Sequence, residues 1–149
     1  MQHKTLNEVT QIATIRSVEK PSSREMRRQR LRRLATVLEK HEGPIRLLSQ
    51  IEHVPLRMRR QLRCDFSPLA FAFQDAELRR EGLLSDRLGD AVDFFGLSQR
   101  QAHHLFCDCH YGAAITSRTV ARRVRALAER KTLAEWSQMI WSRLALARA

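Results

Sequence analysis

From Ser22 onward, apolar residues return every three or four positions, and each stripe opens after a Ser, Thr or Pro and closes at a Gly or Pro. That is the punctuation of short amphipathic helices. The period-two alternation of a half-buried strand is almost absent. The first stripe, Leu31, Leu34, Ala35 and Leu38, predicts a helix from about Ser23 to His41 that stops at Gly43. Pro44 opens a predicted second helix with Ile45, Leu48 and Ile51 on one face, and Pro55 a short third with Leu56 and Leu62 inward. Ser67 and Pro68 start a run that reaches Gly82, and Ser85 starts another whose stripe of Leu88, Ala91, Val92 and Phe95 ends at Gly96.

Ser98 and Gln101 then form a capping box, in which side chain and backbone at a helix start satisfy one another. Ala102, Leu105, Phe106 and Cys109 follow on one face as far as Gly112. Thr116 or Ser117 begins a helix with Val120, Val124, Leu127 and Ala128 inward, and Thr132 with Glu135 caps a last one bearing Trp136, Ile140 and Leu144. The expectation is an all-α fold, a single compact domain of about seven or eight short helices over residues 22–149. Residues 1–21 lack firm periodicity and end in Pro21, and are read as a flexible, poorly ordered N-terminal arm. At 149 residues the chain suffices for one core and leaves little room for a second.

Charge adds what the apolar pattern does not show. The net charge is +11, carried by 23 Arg against 4 Lys, and arginine's planar fork suits phosphate and carboxylate oxygens. Residues 16–63 carry a net +9, residues 64–112 a net −4 and residues 113–149 a net +6. A basic–acidic–basic order either merges the two basic parts into one surface or neutralises them on the acidic middle.

The first helix sharpens this, because its apolar stripe fails toward the N-terminus. Projected back from Leu31, the core-facing positions are Arg24, Arg27 and Arg28, and a core does not hold unpaired guanidinium groups. Together with Arg30, Arg32 and Arg33 they make two helical turns that either extend past the core or face an anion. A second basic line, Arg118, Arg122 and Arg125, runs opposite the stripe of the helix TSRTVARRVRALAERK. That helix and the preceding LSQRQAHHLF partly resemble a helix-turn-helix. A Thr-Val pair leads an arginine-bearing face, and Ala102 stands at the close-packing position of the supporting helix. The resemblance covers about 35 residues and implies DNA binding through the second helix. It departs from the motif in placing CDCHYGAAI between the helices, where the usual turn takes three or four residues.

The stretch HHLFCDCH crowds three histidines and two of three cysteines together. His103 and Cys107 are an i, i+4 pair able to share an ion, and His110 lies a turn further on; these three are the candidate metal ligands. Cys64, His53 and His41 stand in no paired ligand motif, and Cys109 on the apolar stripe reads as a small buried hydrophobe. The plainer reading, a packed helix end with no metal and no cofactor, is preferred. No phosphate-cradling glycine loop, nucleophile elbow or assembled acid, base and nucleophile is present, so the chain reads as a non-enzyme.

No apolar run reaches the roughly 20 residues of a membrane span, and the N-terminus lacks a signal-peptide core. The odd cysteine count agrees with a reducing compartment. The sequence therefore points to a cytoplasmic, bacterial-type, basic helical regulator that contacts DNA or RNA phosphates through Arg24, Arg27, Arg28, Arg30, Arg32, Arg33, Arg118, Arg122 and Arg125. The alternative is a helical adaptor for an acidic protein, as a monomer or as a homodimer through Trp136, Met139 and Trp141.

Overall fold

In the computed structural model, residues 23–112 and 115–131, with Ser137, are described. The N-terminal arm and the last capped helix, with Trp136, Met139 and Trp141, lie outside them. Among the described residues the regular structure is seven α-helices and two 3-10 turns, with no strand beyond a single isolated bridge.

Helix α1 spans Ser23–Glu39 and buries Leu31, Leu34, Ala35 and Leu38, the stripe the sequence predicts. Its main neighbour is α7, Ser117–Ala128, which buries Val120, Ala121, Val124 and Ala128 against it. Ala35 and Ala121 are fully buried, and small residues in facing stripes let two helix axes approach closely. The buried Ser117 hydroxyl donates to the Leu38 carbonyl at 2.5 Å, tying the start of α7 to the end of α1.

Between them the chain departs from the predicted run of helices in three places. The segment after Pro44 is not helical: Leu48 donates to Phe106 O at 2.9 Å and accepts from Asp108 N at 3.0 Å. Its backbone groups are thereby spent on a parallel bridge to Cys107 instead of a helix ladder. Only a 3-10 turn, Ile51–His53, follows, entered through Gln50 at the left-handed φ of 53°. Helix α2, Leu56–Arg59, forms where Pro55 predicts it, but Leu56 is 75% exposed rather than inward.

The run from Ser67 divides at Asp75 into α3, Pro68–Gln74, and α4, Ala76–Arg80. Ser67 caps α3 by accepting from Ala70 N at 3.1 Å, and Asp75 caps α4 by accepting from Leu78 N at 3.0 Å. A residue in the extended region that caps the next helix cannot also continue the previous one. Helix α5, Leu88–Phe95, ends at Gly96 with φ 60°, and α6, Gln99–Phe106, starts with both halves of the Ser98–Gln101 capping box in place. The third departure is at Cys107. It leaves α6 for extended backbone, and a 3-10 turn, Asp108–His110, follows, so Cys107 is buried and Cys109 exposed, the reverse of the stripe reading.

Asp75 also receives the Arg33 guanidinium in two hydrogen bonds of 3.2 and 2.8 Å. That contact, with the Leu78 amide assisting, holds its carboxyl below the usual range. Asp75→Asn should keep the cap but lose the ionic pair, while Asp75→Ala loses both. With Arg33 half-exposed and the pair partly screened, urea denaturation should read losses of roughly 1 and 2–3 kcal/mol. Because the folded pKa is depressed, the difference between wild type and Asp75→Asn should be complete above about pH 4 and fade as pH falls through the lower folded value.

Candidate functional site

The structure sorts the predicted arginines into three groups. Arg30 and Arg33 turn back onto acidic groups of the middle third. Arg30 bonds Glu81 at 3.1 Å and the Phe94 carbonyl at 2.9 Å, with its guanidinium 4.1 Å from the Phe94 ring centre. Arg33 reaches Glu77 at 2.8 Å as well as Asp75. Arg125 leaves the predicted line to pair with Glu39 through two bonds of 3.0 and 2.7 Å. Arg32, Arg118 and Arg122 form the second group and are exposed.

Arg24, Arg27 and Arg28 form the third group. With Leu31, Leu127, Ala128 and Arg130 they line a narrow crevice of about 40 Å³ between the start of α1 and the end of α7. Arg27 lies half-buried over Gly96, its stem 3.4 Å from where a Cβ would stand there, and its Nη2 donates to Gln101 Oε1 at 3.2 Å. Its apolar stem is thus packed while the head remains polar. Leu127 and Arg130 also border a second, open cleft of about 690 Å³ between α6 and α7. Arg100, His104 and Arg123 are on its walls.

No Asp or Glu is among the described residues lining either space. Two guanidinium nitrogens there, Arg27 Nε and Arg123 Nη1, are buried and meet no acceptor. Arg123 is otherwise held rigidly, stacked 3.9 Å over the Tyr111 ring and donating to the His110 carbonyl at 2.7 Å. Tyr111 is fixed in turn by its bond to Leu105 O at 2.8 Å. Loss of hydration, then the nearby His110, Arg123 and Arg100, push the His104 pKa below its usual value.

The sequence pattern does not single out Arg100, Arg123 and Arg130. Arg123 and Leu127 share one flank of α7 at i and i+4, with Arg130 just past the helix end at i+7, a visible signal, but Arg100 reaches the same cleft only through the packing of α6 on α7. Of the candidate metal residues, His103 and Cys107 come together, with Cys109 and Glu52 beside them, and His110 bonds the His103 ring at 2.8 Å. The Cys109 thiol is pushed up to about 12, chiefly by its contact with Cys107 and by burial.

The helices α6 and α7 that resemble a helix-turn-helix are separated by residues 107–116, which carry this cysteine turn in place of a tight connection. Compared with protein families, curated proteins and solved structures, the chain finds no match. Arginines from three helices that line a cleft with no carboxylate among its described residues are suited to grip phosphate or carboxylate oxygens through bidentate hydrogen bonds.

An arginine nitrogen buried without an acceptor costs the fold free energy. Arg27→Met retains the packed stem and removes the orphaned donor. Its unfolding free energy should stay within about 1 kcal/mol of wild type or rise, which thermal and urea denaturation would check.

Proposed function

We propose that the protein is a non-enzymatic binding protein that associates with nucleic acid by gripping backbone phosphates in the cleft between α1, α6 and α7. The observation that carries this reading is that Arg24, Arg27, Arg28, Arg100, Arg123 and Arg130 line two neighbouring spaces whose described lining holds no carboxylate. Arg118 and Arg122 are exposed on the outward face of α7 and add two further cations available to phosphate. Contacts of this kind set position and orientation on a duplex or single strand and carry no base information. A regulator built this way obtains affinity from counterion release, and its binding falls steeply with salt.

The roles divide cleanly for testing. Arg100 and Arg130 are exposed, so Arg100→Glu with Arg130→Glu should leave folding intact and weaken binding to a random duplex or single strand at least about tenfold at low salt. Each lost phosphate contact should flatten the log–log salt slope by about 1. Arg33→Ala, which removes an internally paired cation, should lower stability and leave affinity unchanged. Fluorescence anisotropy with labelled oligonucleotides from low to physiological salt reads both. A chain that ignores duplex and single strands at low salt, but co-purifies with one stoichiometric acidic protein, would replace this reading with that of an adaptor.

A further inference from the structure

Behind the cleft, on the far side of His110, four side chains of metal-binding type meet. One ligand atom each from Glu52, His103, Cys107 and Cys109 lies within 4.8 Å of every other. The Cys107 and Cys109 sulfurs are 3.1 Å apart, His103 Nε2 is 4.0 Å from the Cys109 sulfur and 3.4 Å from Glu52 Oε1. Zinc–sulfur bonds of about 2.3 Å and zinc–nitrogen bonds of about 2.05 Å in a tetrahedron place ligand atoms roughly 3.3 to 3.8 Å apart. The separations here, from 3.1 to at most 4.8 Å, bracket those of an ion's coordination shell, which side-chain shifts of about 1 Å would complete. We propose that Glu52, His103, Cys107 and Cys109 bind one divalent cation of the zinc class, with His110 as the residue that orients His103.

Three backbone devices assemble the site. Cys107 follows the last turn of α6 and donates its amide to His103 O at 3.0 Å, so the i and i+4 side chains share one side of the helix end. The bridge to Leu48 stops the helix there, and the 3-10 turn at Asp108–His110 returns the Cys109 sulfur to that of Cys107. Across the bridge, the left-handed Gln50 and the turn Ile51–His53 bring Glu52 to the open side. His103 uses Nε2 toward the cluster while its Nδ1 meets His110 Nε2 at 2.8 Å, an arrangement that fixes ring and tautomer as the outer partners of metal-bound histidines do.

The donor set selects the ion. Two thiols with an imidazole and a carboxylate favour a borderline-soft, tetrahedral cation over Mg²⁺ or Ca²⁺, which take oxygen ligands. An iron–sulfur cluster takes four cysteines, or two cysteines on one iron and two histidines on another, whereas here cysteine, histidine and carboxylate donors all lie within 4.8 Å of one another, around one point. Cys107 is buried while Cys109 and Glu52 face solvent, so an ion has both a dry anchor and an entry path.

The test uses the full chain without a histidine tag, stripped by chelator and kept reduced, then titrated with zinc against a chromophoric competitor. The expected result is about one equivalent bound per chain. Cys109→Ser, at an exposed position that should leave the fold intact by circular dichroism, should weaken zinc at least about 100-fold, and His110→Ala roughly tenfold. Cys64→Ser, outside the cluster, should bind as wild type. Cobalt(II) should show the intense visible bands of tetrahedral geometry with a thiolate charge-transfer band, the latter reduced in Cys109→Ser. Uptake below about a tenth of an equivalent, Cys109→Ser binding as tightly as wild type, or an octahedral cobalt spectrum without charge transfer would overturn the proposal.

Discussion

The packing of α1 against α7 is the contact on which the rest of the structure depends. Its driving force is apolar: Leu31, Leu34 and Leu38 meet Val120 and Val124, with Ala35 and Ala121 permitting close approach. The same two helices carry much of the chain's arginine, so burying their stripes forces like charges together. Hydrophobic burial of a few large side chains contributes on the order of several kcal/mol and outweighs surface repulsion, which solvent and salt screen. The repulsion does, however, decide where each guanidinium group goes.

On one side of α1 the acidic middle third supplies partners. Asp75, Glu77 and Glu81 take Arg33 and Arg30, and Glu39 takes Arg125. Further along the chain, Arg60 pairs with Asp93 and Arg63 with Asp86. On the other side, where α1 begins and α7 ends, none of the described residues lining the cleft is acidic. Identical residue types are thus placed differently: Arg30, Arg33 and Arg125 hold elements in register through ion pairs, and Arg100, Arg123 and Arg130 line the cleft. A phosphate backbone is the kind of ligand that completes such a surface.

The bridge between Leu48 and Cys107 does comparable work on the opposite flank. By ending α6 early it gathers Glu52, His103 and the two cysteines, and it delivers His110, whose carbonyl receives Arg123. The cysteine turn and the basic cleft are therefore joined through one residue. Whatever stiffens the turn also fixes the wall of the cleft.

Residue spacing alone was enough for the helical class, the core stripes of α1, α5 and α7, the capping box at Ser98 and Gln101, and the segregation of charge along the chain. These are local properties, set by periodicity and by side chains that satisfy their own helix ends. Tertiary structure decided the rest. Apolar spacing at Ile45, Leu48 and Ile51 is as compatible with a helix as with an extended segment, and only hydrogen bonds to Phe106 and Asp108, remote in sequence, choose between them. The same bridge exchanged the burial of Cys107 and Cys109 and brought in Glu52, which no local spacing connects to His103. Which carboxylates Arg30, Arg33 and Arg125 reached, and which arginines gathered along the cleft, likewise followed from long-range packing, because an ion pair depends on distance in space, and helical periodicity describes only one helix at a time.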